Sequence, residues 1–176
     1  MKLIKWTLGL VLLLAAVLVL GGMLLSPKFT VVRSVSINAP PDKVYALVAD
    51  PRGWKAWSVW NQRDPAMQIT YSGPPSGAGA AWAWTSKTEG DGKMSFTAAD
   101  PGKRVAYDLY FPDLGTTSQG DLSFTPEGNG TQVRWTMNGD MGGNPLFRWI
   151  ALFADKMVGK DFEGGLAGLK AVAEKG

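Results

Sequence analysis

The chain begins as an unbroken apolar run and then changes abruptly to alternating and helical patterns. Trp6 to Leu25 (WTLGLVLLLAAVLVLGGMLL) is 20 residues with no charge and a single hydroxyl. At 1.5 Å per helical residue it spans about 30 Å, the thickness of a bilayer's hydrocarbon core. A secretory signal has a shorter apolar stretch, about 7–15 residues, ahead of a small-x-small cleavage site. The one cut available here follows Gly21, with Val19 at the third position back, and matches poorly. The pattern therefore predicts an uncleaved anchor over residues 1–26, crossing the membrane through residues 6–25. The amino terminus, Lys2 and Lys5 precede the run, while Lys28 and Arg33 follow it. The positive-inside tendency then puts the amino terminus in the cytoplasm and residues 27–176 outside the cytoplasmic membrane, in the periplasm if the source is a Gram-negative bacterium.

Beyond Pro27 the periodicity changes to two. Phe29 to Ile37 alternates and is rich in β-branched residues, so it predicts a strand. Asn38 to Asp42 (NAPPD) has a capping residue and first-turn prolines, and Val44, Leu47 and Val48 continue with helical spacing until Asp50-Pro51. Residues 51–60 (PRGWKAWSVW) predict a second short helix with Trp54 and Trp57 on one side. Six further strands follow at Met67–Ser72, Ala80–Lys87, Lys93–Ala99, Arg104–Phe111, Thr117–Thr125 and Thr131–Met141. Short Gly-, Pro- and Asp-rich turns separate them, which implies consecutive antiparallel hairpins. The alternation puts Trp82, Trp84, Met94, Phe96, Val105, Tyr107, Leu109, Phe111, Leu122, Phe124, Val133, Trp135 and Met137 on one buried face. A long helix over 145–173 closes the chain, its stripe formed by Val158, Phe162, Leu166, Leu169 and Val172. Gly159, Gly164, Gly165 and Gly168 interrupt it. Two readings of them stand side by side: space for a ligand beneath the helix, or close helix–sheet contact.

Charge and composition narrow the chemistry. Of the 18 basic and 15 acidic residues, two basic and no acidic ones lie before Ser26, so the rest of the chain carries only 16 − 15 = +1. Its Lys and Arg are interspersed with acids rather than gathered into a stripe, which argues against nucleic-acid binding. A domain of about 150 residues buries roughly 68–70% of its unfolded surface around one core. There is no His and no Cys. Cys-based zinc sites, iron–sulfur clusters, disulfides, Cys nucleophiles and Ser-His-Asp triads are therefore excluded, and no metal or cofactor is expected. Acid–base work would fall to Asp, Glu, Lys or Tyr.

One strand, two short helices, six antiparallel strands and a long helix follow the order of the helix-grip fold. The sequence resembles the START-like superfamily, in the branch described as polyketide cyclase/dehydrase and lipid-transport (SRPBCC) proteins. The matching residues are 37–44 (INAPPDKV), 54–58 (WKAWS) with Trp60 and Asp64-Pro65, 71–77 (YSGPPSG), 80–84 (AAWAW) and 155–163 (DKMVGKDFE). The resemblance covers residues 29–174 and implies an α+β fold: a bent, seven-stranded antiparallel sheet gripping the carboxy-terminal helix. It also implies an apolar cavity between them for a hydrophobic small molecule or lipid.

The inner-face positions Trp82, Trp84, Phe96, Tyr107, Leu109, Phe111, Trp135 and Met137, with Phe162 from the helix, are then the expected ligand-binding residues. Each is equally suited to filling a solid core. Trp54, Trp57 and Trp60 read first as packing of the short helices and second as an interfacial belt. The expected function is ligand binding without catalysis, gated by the long helix or by residues 111–115 (FPDLG). The alternatives are a cyclase- or hydratase-type enzyme using Tyr107 or Asp108, and a protein-recognition module of the cell envelope. Glu89 reads as a solvated turn residue, and Asp155, Asp161 and Glu163 read as a charged helix face. No catalytic motif of the family is present to carry over. Ligand identity and oligomeric state are not legible in the sequence.

Overall fold

A computed structural model describes residues 2–175, apart from the side chains of Lys2 and Leu3. The terminal amine and the Lys2 ammonium, on which the orientation of the anchor partly rests, lie outside the described residues. The elements are α1 (Lys2–Leu24), β1 (Lys28–Ile37), α2 (Pro41–Ala49), a 3₁₀ segment (Pro51–Ala56) and α3 (Val59–Arg63). They continue with β2 (Gln68–Ser72), β3 (Ala81–Thr85), β4 (Gly92–Asp100), β5 (Arg104–Phe111), β6 (Thr116–Glu127), β7 (Gly130–Asp140) and α4 (Pro145–Glu174).

The seven strands form one antiparallel sheet in the order β1-β7-β6-β5-β4-β3-β2. Consecutive hairpins build six of them, and β1 closes on β7 from Lys28↔Asp140 to Ile37↔Thr131. This is the helix-grip fold. A register shift between Phe96 and Ala98 bends β4, as a bulge does. Gly120 stands opposite Tyr107 and Gly92 opposite Trp84 across neighbouring strands. A Cβ at either glycine would strike the facing ring, so each glycine lets an aromatic side chain lie flat across the sheet.

Two local expectations are corrected. The helix expected over 51–60 divides into the 3₁₀ segment and α3, broken at Trp57, whose backbone is not helical. The tryptophans cause the break. Trp54 Nε1–H donates to Val48 O at 2.8 Å and Trp57 Nε1–H to Leu47 O at 3.2 Å, so both indoles cap the last carbonyls of α2. In a 3₁₀ turn residues three apart eclipse, and the two rings meet at 4.4 Å. Both are buried, so they pack the core and form no interfacial belt. Asn38, the expected cap of α2, does not cap it: Pro40 takes that place without a side-chain bond. The Asn38 backbone N–H instead donates to Glu174 Oε1 at 2.7 Å, joining the ends of β1 and α4.

α4 begins where Asn144 Oδ1 accepts from the Leu146 N–H at 3.0 Å. Its glycines serve close contact. A Cβ at Gly164 would lie 2.7 Å from Val59 Cγ1 and one at Gly165 3.0 Å from Trp135 Cζ3, while Gly168 faces the Trp57 carbonyl. Gly159 faces the guanidinium of Arg33. Arg33 occupies the inner side of β1 among Phe29, Val31, Val35 and Ile37. There it donates through Nη1 to Asp155 Oδ1 at 2.8 Å and through Nε to Glu163 Oε1 at 2.6 Å. Asp155 and Glu163 stand on the exposed, charged face of α4, and Arg33 ties both to the sheet.

Candidate functional site

Between the sheet and α4 lies a cavity of about 150 Å³. Its floor follows the register. Trp82 on β3 stands opposite Met94 on β4, and Met94 opposite Leu109 on β5. Trp84, Phe111 and Met137 extend that floor, and Trp84 is fixed by its Nε1–H to Gly90 O at 3.0 Å. Trp54, Trp60 and Met67 wall the cavity from the short-helix side, and Val158 and Phe162 from α4. Trp54 is central to this cluster, with Trp82 at 5.3 Å and Trp135 at 5.6 Å.

Four polar residues, Ser58, Asn61, Glu89 and Asp161, also line the cavity, and the two carboxylates meet at one end of it. Arg63, at the end of α3, joins two of them. Its Nη2 donates to Glu89 Oε2 at 2.9 Å and its Nη1 to Asp161 Oδ1 at 2.7 Å. The loop that holds Glu89 is itself organised. The Ser86 hydroxyl donates to Asp64 Oδ2 at 2.6 Å and accepts the backbone N–H groups of Thr88 and Glu89. The Asp161 hydrogen bond, then Asp161's and Glu89's charges, raise the affinity of the Arg63 guanidinium for its proton. Two carboxylates and one guanidinium leave this end with a charge of −2 + 1 = −1.

The expected ligand residues fall into two groups. Trp82, Trp84, Leu109, Phe111, Met137 and Phe162 line the cavity. Phe96, Tyr107 and Trp135 are buried behind it. Trp135 stacks on Phe162 at 4.0 Å and donates its Nε1–H to the Tyr107 hydroxyl at 2.8 Å. Burial pushes the Tyr107 hydroxyl well above its ordinary pKa, opposed in part by that bond. Asp108 is on the other face of β5 and accepts from Gln119 Nε2 at 3.1 Å.

Sequence reasoning missed the polar rim. Glu89 and Asp161 are not solvated: their side chains keep only 13% and 22% exposure because Arg63 draws them in. Asp161 had a signal, since it stands beside Phe162 and three residues after Val158 in the apolar stripe. Glu89 had none. Among the described residues no three His, Cys, Asp or Glu side chains gather as a metal site requires.

Solved structures share this architecture at low identity. A norcoclaurine synthase point mutant from Thalictrum, in complex with a transition-state analogue, aligns with a TM-score of 0.65 and 12% identity over 84% of this chain and 95% of that one. A protein from Chromobacterium violaceum aligns with a TM-score of 0.61 and 16% identity over 82% and 96%. The di-domain ARO/CYC BexL of the BE-7585A biosynthetic pathway aligns with a TM-score of 0.60 and 19% identity, covering 84% of this chain and 50% of that chain. No curated protein matches the sequence. The family model described as polyketide cyclase / dehydrase and lipid transport matches residues 28–174, from the first residue of β1 to the last of α4, and the chain belongs to that family.

Proposed function

We propose that this is a membrane-anchored START-like domain that takes up a hydrophobic small molecule between its sheet and α4 and does not transform it. The observation carrying this reading is the cavity: aromatic and thioether walls, with the carboxylates confined to one end and held there by Arg63. A space of about 150 Å³ with apolar walls is large enough to accept a benzene-sized body. As it stands, the site suits a single ring or a short apolar segment, and a longer lipid would require its mouth to widen. The anchor reading is supported by α1, which holds within Ile4–Leu24 an 18-residue stretch of mean hydropathy 2.6, only 6% of it buried. With the domain outside the cytoplasmic membrane, such an anchor keeps the cavity beside its supply of apolar ligand.

An enzymatic reading, encouraged by the synthase and ARO/CYC neighbours, needs an acid or base inside the cavity. Tyr107 is engaged with Trp135 behind the wall and Asp108 is outside, while the two carboxylates that do line the cavity, Glu89 and Asp161, are both engaged by Arg63. Extraction of the full chain in mild detergent from its source membrane, followed by native mass spectrometry and organic extraction, tests the binding reading. Recovery of a stoichiometric apolar compound is expected. A consistently bare mass, together with turnover of an aromatic or polyketide-like substrate by the purified chain, would replace it with the enzymatic one.

A further inference from the structure

The first four turns of α4 show a pattern that neither the cavity nor the core accounts for. Leu146, Ile150, Phe153 and Met157 follow one another at steps of four, three and four, a single helical stripe. They are between 37% and 63% exposed, whereas Ala151 and Ala154, interspersed among them in sequence and turned to one flank of the stripe, are buried. Leu152 adds to the exposed apolar surface, and Lys156 and Lys160 stand exposed beside it. From Asp155 onward Arg33 ties the helix to the sheet, and the exposed large apolar residues end at Met157. The stripe thus ends where Arg33 begins to hold α4 to the sheet.

That segment is bound to the anchor. Arg148 Nη1 donates to the carbonyls of Met23 and Leu25 at 3.0 and 3.3 Å, placing a cation on the carboxy-terminal end of α1. Gly22 admits the Pro145 backbone and Gly21 the Trp149 ring, where a Cβ would lie 2.9 Å from Trp149 Cζ2. Trp149 Nε1–H donates to Leu18 O at 2.9 Å. Leu18 precedes the end of α1 by six residues, so this indole reaches roughly 9 Å back along the anchor. A bilayer covering α1 therefore extends to the level of Trp149, and α4 starts within its interfacial layer.

We infer that the first four turns of α4 are a second membrane contact, an interfacial amphipathic segment whose stripe at Leu146, Ile150, Phe153 and Met157 lies among lipid acyl chains. This rests on the anchor reading given above. It fits what interfacial helices require: an apolar face, an indole turned toward the bilayer and flanking basic residues. It also bears on ligand supply, because Val158 and Asp161 of the cavity follow Met157 within about one turn.

The chain has no cysteine, so single thiols can be introduced without a background. Full-length Phe153→Cys, Met157→Cys, Leu12→Cys and Asn129→Cys chains carry a bimane label in phosphatidylcholine/phosphatidylglycerol vesicles containing nitroxide lipids. Asn129 lies in the β6–β7 turn, at the opposite end of β7 from Asp140 and the start of α4. Strong quenching is expected at positions 153 and 157 with the nitroxide high on the acyl chain, at position 12 with it deep, and at 129 with neither. Quenching at 12 but not at 153 or 157 would overturn the second contact and leave the anchor standing. A bright label at 12 would overturn the anchor, and this inference with it. Labels at 153 shielded from lipid but self-quenching between labelled copies would assign the stripe to a second copy of the chain and overturn the lipid contact.

Discussion

The Tyr107 hydroxyl accepts the Trp135 indole N–H at 2.8 Å in a fully buried place, and that bond fixes what the residue can do. Removing it leaves a buried donor without a partner, which costs about 1–3 kcal/mol. Tyr107→Phe is therefore expected to lower the unfolding free energy by about that amount in urea while leaving the affinity for an apolar ligand within about twofold, a change well under 1 kcal/mol. A large loss of ligand affinity at unchanged stability would return Tyr107 to the site. Arg33 and Asp155 make a second residue-scale case. The Arg33 hydrogen bond, aided by its charge, holds the Asp155 carboxyl below its ordinary value. A carboxylate depressed in the folded state contributes stability above its unfolded value near about 4, and loses it as pH falls through the depressed native value. The gap in Tm between the parent and Asp155→Asn should thus be present at pH 7 and close in acid. An equal gap at both would mean that Asp155 acts by packing. Alternation placed Phe96, Tyr107 and Trp135 on the right face of their strands, yet a period of two says nothing about depth. The structure separates wall from backing by the bends of the strands and by Gly92 and Gly120, over which the Trp84 and Tyr107 rings lie.

Among the elements, α4 and the 3₁₀ segment differ most in how far sequence described them. β5 has the bounds expected from its alternation, Arg104–Phe111, because four apolar residues at period two leave no competing pattern. Over 51–60 a spacing of three suits a 3₁₀ turn as well as an α-helix, and the deciding bonds run to Leu47 and Val48 in the preceding helix. The α4 glycines were open to two readings that substitution separates. If they left space for a ligand, alanine would gain about 1 kcal/mol of helix propensity at each. Contact predicts otherwise. A Cβ at Gly168 meets the Trp57 backbone carbonyl, which cannot swing aside, and overpacking of this kind costs about 1–3 kcal/mol. Gly168→Ala should be destabilised by up to about 2 kcal/mol, with Tm falling by about 2–4 °C per kcal/mol in a chain of this size. Gly159 meets only the flexible end of Arg33, so Gly159→Ala should fall by clearly less. Thermal melts of the two variants side by side decide it, and equal gains would restore the ligand-space reading.

At the scale of the molecule, the rim joins parts of the chain that no local pattern connects. Arg63 reaches Glu89 across 26 positions and Asp161 across 98, so the cavity's aromatic walls were legible in the sequence and its closing group was not. Three elements meet there: the end of α3, the β3–β4 loop and the middle of α4. The two ion pairs share a partly exposed arginine, and such pairs contribute about 0–1 kcal/mol each to stability. If a ligand enters at this end, their larger effect is on its entry. Without Arg63, two carboxylates would face each other with no cation between them, and their repulsion would favour separation of the loop from α4. Arg63→Met should therefore exchange a small apolar ligand faster, by about tenfold, corresponding to ~1.4 kcal/mol of gate. Nitrobenzene, a single ring that quenches indole emission, reports entry in a stopped-flow experiment, because Trp54, Trp60, Trp82 and Trp84 line the cavity. An unchanged entry rate in Arg63→Met at neutral pH would move the gate to the turn at residues 111–115, whose first residue, Phe111, lies edge-on to Trp84 at 6.1 Å.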